Sequence, residues 1–113
     1  MAKSFWVYIL ASAPYGVLYI GVTSDLIRRV WEHCEGIADD FTKRYHVKRL
    51  VYFEEYADVE SAIVREKRLK KWYRSMKVDL IENFNPRCDD LYPSLVGDAT
   101  IDKIPACAGM TGE

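Results

Sequence analysis

Two short runs of β-forming residues, Phe5–Ala11 and Val17–Val22, constrain this chain more than anything else in it. Both are dense in aromatic and β-branched side chains. Between them lies Ser12-Ala13-Pro14-Tyr15-Gly16, a stretch of turn formers. So close a spacing allows little except an antiparallel hairpin, and a hairpin needs further elements to cover its apolar face. Each run holds a tyrosine, one in Val7-Tyr8-Ile9 and one in Tyr19-Ile20-Gly21. A turn centred between Ala13 and Pro14 sets Tyr8 directly opposite Tyr19, with Cβ atoms roughly 5 Å apart. Two readings stay open here: an ordinary aromatic core pair, or two phenol hydroxyls placed for chemistry. Gly21 adds to the second, because a glycine late in a strand permits close approach of a ligand or backbone.

The rest of the chain supplies the cover. Thr23-Ser24-Asp25 offers N-cap residues for a helix to about Glu35, which Gly36 stops. Residues 37–47 are polar and read as a loop with a short helical turn. Arg49–Tyr56 reads as a third strand. Asp58 caps a second long helix over about Val59–Tyr73, and a further helix over about Lys77–Asn83 precedes Asn85-Pro86. The order β-β-α-β-α-α predicts an α/β (α+β) fold, a small three-stranded antiparallel sheet flanked by helices. From about Tyr92, prolines and glycines break every periodicity. Residues 1–92 are therefore expected to form one domain, and 93–113 a disordered tail.

Composition excludes several classes. With 113 residues there is room for one core. At 50% hydrophobic and 13% aromatic residues the chain is globular. No apolar run reaches the ~20 residues of a membrane span. Three cysteines, Cys34, Cys88 and Cys107, are an odd number without metal-ligand spacing, which fits a reducing cytoplasm. We expect a monomer or weak homodimer. The net charge of −1 conceals an asymmetry: residues 65–77 carry seven basic side chains against the single acid Glu66. Phosphate attraction is short-ranged at cellular salt, so this local +6 matters more than the total.

Helical spacing singles out the remaining candidates. In the first helix Leu26, Ile27, Val30, Trp31 and Cys34 share an apolar face, and Arg28, Glu32 and Glu35 lie opposite. Arg29 and His33, an i,i+4 pair, fall at the rim. Arg29 could grip a phosphate with its fork and His33 could shuttle a proton. The plainer alternative is that both snorkel at a boundary. In the second helix Glu66 lies within the stripe of Val59, Ala62, Ile63, Leu69 and Tyr73. A carboxylate there is costly unless paired or bound to metal. Arg29 or Lys70 could pair with it, or a hard cation such as Mg²⁺ could use it as its one protein carboxylate. The basic run, interleaved with Trp72 and Tyr73, could track a nucleic-acid backbone or could be a solvated face. Asn85 could bond near the site or could serve a turn.

Taken together and in this order, these residues resemble the GIY-YIG nuclease family, in its small single-domain bacterial branch, over about residues 4–92. Val7-Tyr8-Ile9 stands for the first motif, with Val7 where the family has glycine, and Tyr19-Ile20-Gly21 for the second. The family's arginine, helix histidine, metal-binding glutamate and late asparagine fall on Arg29, His33, Glu66 and Asn85. Thr42-Lys43-Arg44-Tyr45 and Asn85-Pro86 also match the branch. The resemblance implies a DNA endonuclease dependent on Mg²⁺ or Mn²⁺ at Glu66, structure-selective or nonspecific, in DNA repair or recombination. It implies Tyr8 as general base and Tyr19 as orienting hydroxyl. Arg29 would stabilise phosphoryl charge, with His33 and Asn85 completing the set. Arg65, Arg68, Lys70, Lys71, Lys43 and Arg44 would hold the backbone of DNA, or of RNA. The rival expectation is a non-catalytic nucleic-acid-binding module on the same fold. A third is an interaction protein whose basic helix meets an acidic partner.

Overall fold

A computed structural model describes residues 4–14, 16–37 and 40–96. Three strands, β1 (Phe5–Ala11), β2 (Leu18–Thr23) and β3 (Arg49–Tyr56), form one antiparallel sheet in the order β2-β1-β3. The helices are α1 (Leu26–Cys34), α2 (Asp40–Tyr45), α3 (Val59–Lys71), α4 (Arg74–Phe84) and α5 (Tyr92–Val96). The expected α+β class and element order are present, with the short helices α2 and α5 added.

β1 is central and apolar on both faces, so each face needs its own cover. Tyr8 and Leu10 pack with Leu26, Val30 and Cys34 of α1 and with Tyr92 of α5. Val7, Ile9 and Ala11 pack with Ala62 and Leu69 of α3 and Ile81 of α4. Each fully buried valine or leucine in these layers contributes roughly 1.5–3 kcal/mol. Two of the helix boundaries follow from the residues read as caps. Asp25 accepts from the Arg28 N–H at 3.2 Å, and Asp58 from the Ser61 N–H at 2.8 Å. Gly36, at φ 76°, closes α1 in a Schellman turn: its N–H meets the His33 carbonyl, and the Ile37 N–H meets that of Glu32.

Three details differ from expectation. The hairpin pairs Tyr8 with Gly21 and Leu10 with Tyr19, two residues out from the expected register. Ser12 and Val17 close the turn, so its centre lies one residue further along than expected. A shift of two preserves the face, since side chains alternate with period two. Tyr8 and Tyr19 are thus diagonal neighbours. On α3 the buried stripe is narrower than its periodicity suggested: α3 ends at Lys71, and Tyr73 is 79% exposed as the N-cap of α4. Finally, the helix α5 spans Tyr92–Val96, beyond the point near Tyr92 where the sequence pattern ends. Tyr92 is buried and Pro93 sits in the first helical turn, where its missing N–H costs nothing. The rest of the expected tail, residues 97–113, lies outside the described residues.

Candidate active site

Gly21 decides where Tyr8 goes. A Cβ on Gly21 would stand 2.5 Å from the Tyr8 hydroxyl oxygen and 2.7 Å from its Cζ. Only the missing side chain lets the Tyr8 ring lie across β2. The ring then reaches α1, where its hydroxyl lies 3.0 Å from His33 Nε2. His33 Nδ1 lies 2.9 Å from Thr42 Oγ1 on α2. Tyr8, His33 and Thr42 are all buried, Tyr8 at 2% exposure. Two polarities satisfy these distances. Either Thr42 accepts from Nδ1–H and Nε2 accepts the Tyr8 proton, or both bonds run the other way. Each gives a three-group hydrogen-bonded line out of bulk water, where such bonds are strengthened.

Tyr19 joins this line from the side. Its ring centroid is 5.0 Å from that of His33 and 6.4 Å from that of Tyr8. Unlike Tyr8, Tyr19 also reaches a groove of about 310 Å³ along the outer edge of β2, shared with Leu18, Ile20, Phe41, Lys70 and Lys77. That groove is where the two helical layers meet, for Phe41 comes from α2 and Lys70 from α3.

The other sequence candidates are placed less uniformly. Arg29 is half-exposed on α1 and pairs with Glu32 at 3.5 Å, the same carboxylate that Arg28 meets at 3.2 Å. Glu66 comes from the layer across the sheet. Its side chain is 13% exposed, and the Lys70 ammonium lies 2.7 Å away. Of the readings open for Glu66, an ion pair with Lys70 is therefore formed, and through Lys70 it adjoins the groove. Asn85 stands at the opposite edge of the sheet. Its amide donates to the carbonyls of Val51 and Asp89 at 3.2 and 2.8 Å, and its Oδ1 accepts from the Asp89 N–H. It pins the end of α4 to β3 and is not gathered with Tyr8, Tyr19 and His33.

The expected phosphate-gripping residues also divide. Lys43, Arg44, Arg68 and Lys71 are exposed, and Lys70 is half-exposed beside Glu66. Arg65 faces protein. Its fork meets both oxygens of Glu54 at 3.0–3.2 Å and stacks over Trp72 at 5.1 Å. Glu54 also accepts from the hydroxyls of Tyr52 and Tyr56. Burial raises the Glu54 carboxyl pKa, but bonds from Arg65, Tyr52 and Tyr56 outweigh it and leave it below its ordinary range. Burial, then Glu54, pushes the Tyr52 and Tyr56 phenols up.

Thr42 is the site residue that reasoning from chemistry missed. It falls in a polar stretch read as a loop with a short helical turn, and that turn, α2, brings its hydroxyl to His33.

Among the described residues no three His, Cys, Asp or Glu side chains gather to hold a metal ion. A hard cation needs no such cluster when substrate oxygens and water complete its shell. Glu66 suits that arrangement: a largely buried carboxylate that adjoins the groove through Lys70 and already holds one positive charge, the Lys70 ammonium.

Two strand tyrosines thus converge on a helix histidine beside a groove that carries two lysines. The family model for the GIY-YIG catalytic domain matches residues 4–79, and the chain belongs to that family. Among individual proteins it is similar to the UPF0213 protein of Pediococcus pentosaceus, at 32% identity over 73% of this chain and 85% of the relative. It is 33% identical to a UPF0213 protein of Pseudomonas aeruginosa, over 67% of this chain and 73% of the relative. A UPF0213 protein of Bacillus pumilus is 36% identical over 66% and 76%. No solved structure matches the chain. Among the described residues no helix is long and apolar enough to cross a membrane.

Proposed function

We propose that the protein is a DNA endonuclease that hydrolyses phosphodiester bonds at the β2 edge with the help of a divalent metal ion. The observation that carries this reading is the Tyr8–His33–Thr42 line, buried behind a groove that Tyr19 and two lysines share. Tyr8 takes a proton from the attacking water and passes it towards His33 Nε2, with Thr42 fixing the ring from the other nitrogen. The water oxygen bonds to phosphorus as the ester P–O bond breaks, and the leaving oxygen is protonated from solvent. Tyr19 orients the phosphate or the water. Arg29, on a half-exposed side chain, swings from Glu32 to stabilise phosphoryl charge. Glu66 is the residue that would hold Mg²⁺ or Mn²⁺, which when bound supplies Lewis-acid polarisation of the scissile phosphate. Lys43, Arg44, Arg68, Lys70 and Lys71 hold the backbone, which gives affinity without sequence readout. Arg65 and Asn85 have no part in this, since both are committed to β3.

The test is nicking of supercoiled plasmid and cleavage of branched DNA with Mg²⁺ or Mn²⁺, wild type beside Glu66→Ala. Cleavage by wild type alone supports the reading and places the metal at Glu66. Salt-sensitive DNA binding with no cleavage by either protein would replace it with the binding module. Metal-dependent cleavage kept by a purified Glu66→Ala protein would remove Glu66 from the mechanism.

A further inference from the structure

The groove has an aromatic lip that the hydrolytic machinery does not use. Phe41 and Tyr45 are one turn apart on α2, with ring centroids 4.9 Å from each other. Phe41 stands 6.2 Å from Tyr19, so three rings run in a row from solvent to the buried line. The outer two are exposed, Phe41 at 41% and Tyr45 at 46%. The rings adjoin one another, and a contiguous exposed apolar surface rimmed by polar residues is the kind that marks an interaction site. Cations surround them: Lys70 and Lys77 line the same groove as Phe41, and Lys43 and Arg44 are exposed on the same short helix.

From this juxtaposition the geometry points to a stacking ledge: Phe41 and Tyr45 receive an unpaired nucleobase while the neighbouring lysines hold its phosphates. The inference rests on the nucleic-acid reading above and names its substrate class. In continuous duplex the base faces are covered by their neighbours and cannot reach a ring on the protein. In a single strand, a flap or a frayed junction they can, and every base offers such a face, so the preference is for structure and not sequence. The groove, at about 310 Å³, is of the size that holds one small ligand group. Charge complementarity favours a nucleotide over a second copy of the chain, because a symmetric self-contact here would set Lys43, Arg44, Lys70 and Lys77 against their own counterparts.

The experiment uses the full chain in EDTA, so that binding is read without cleavage. The probes are a blunt duplex and the same duplex with a single-stranded tail carrying 2-aminopurine near the junction. Wild type is expected to prefer the tailed DNA and to quench 2-aminopurine. Phe41→Leu and Tyr45→Leu should each weaken tailed-DNA binding by roughly tenfold and lose quenching. Both should leave blunt-duplex binding unchanged, and Phe41→Tyr should keep the preference. Wild-type binding to both probes with equal affinity would overturn the ledge and leave the nuclease standing. Equal losses on both probes would also overturn it, since the rings would then be merely structural. So would a wild-type dimer that Phe41→Leu makes monomeric. Failure of wild type to bind either probe would bring down the nucleic-acid reading itself.

Discussion

The two edges of the sheet put their tyrosines in opposite settings. At the β3 edge Glu54 gathers Tyr52, Tyr56 and Arg65, and Trp72 covers the guanidinium. The strand's outer backbone is covered too: the Leu50 N–H donates to Asp90, the Leu91 N–H to the Leu50 carbonyl, and Asn85 to that of Val51. These named groups all have protein partners at bonding distance, and the start of the edge, at Leu50 and Val51, is closed to further pairing. At the β2 edge Tyr8, His33 and Thr42 form a line with direction, and Tyr19 and Phe41 open onto a basic groove. The lesson is that tyrosine, glutamate and arginine near one another do not by themselves make a site. A closed ring of bonds anchors a fold. A line buried behind an accessible groove is, on the proposed reading, one that moves a proton.

The largest effect that can break this comparison comes from removing one phenol oxygen at each edge. Tyr8→Phe is expected to slow single-turnover nicking by roughly 10³-fold, the scale of a lost proton-transfer group. DNA affinity and the far-ultraviolet circular dichroism should stay as they are. Tyr56→Phe, which loses a 2.7 Å bond to Glu54, is expected to leave nicking within about twofold. Equal losses at the two edges would erase the functional distinction between them.

Stability should show the reverse asymmetry. Glu54→Ala leaves the half-buried Arg65 without its carboxylate and removes the acceptor of two tyrosines. We expect a loss of about 3 kcal/mol, read by urea unfolding, at the lower end for a buried pair because both side chains keep some solvent. Nicking per folded molecule should be unchanged at a temperature where the variant is folded. A catalytic loss without a stability loss would mean that β3 belongs to the site after all.

A finer effect tests whether the line depends on its far end. Thr42→Val keeps the volume but leaves His33 Nδ1 without its oxygen in a buried place, at a cost of about 1–2 kcal/mol. Nicking should fall, and Thr42→Ser should restore it. If valine nicks as well as threonine does, Thr42 only fills space.

How much of this was legible beforehand differs by element, for physical reasons. β3 was readable to the residue, because the run Val51-Tyr52-Phe53 and Tyr56 carry a strand signal of their own. The Tyr8–Tyr19 register was not, because it depends on turn geometry, and Ser12-Ala13-Pro14-Tyr15-Gly16 is compatible with several loops. The face survived because the error was even. Glu66 stood out correctly as a carboxylate on a core-facing stripe, yet its Lys70 partner was only one of the options open. Arg65 and Arg68 look alike in sequence, and only Glu54, eleven residues earlier, separates them. Asn85 reads as a site residue by resemblance and bonds as a structural one. α5 was hidden by Pro93, a helix breaker everywhere except in a first turn.

The smallest effect concerns pH, and it is read at the β3 edge. Glu54 has a lowered pKa when folded, so its contribution is present above the ordinary carboxyl value of 4.5 and is lost as pH falls through the folded value. Tyr52 has a raised pKa, so its contribution is present below the ordinary 10.0 and is lost as pH rises through the folded value. Between these limits the clamp is indifferent to pH. Urea unfolding of wild type beside Glu54→Gln isolates the effect, because other acid-sensitive groups such as the Asp58 cap are common to both proteins. The stability gap between them should be constant near neutrality and narrow below pH 4.5, as wild type loses its carboxylate and the variant has none to lose. A gap unchanged through that range would mean that the Glu54 charge does not hold β3 to α3, and that shape and neutral hydrogen bonds do.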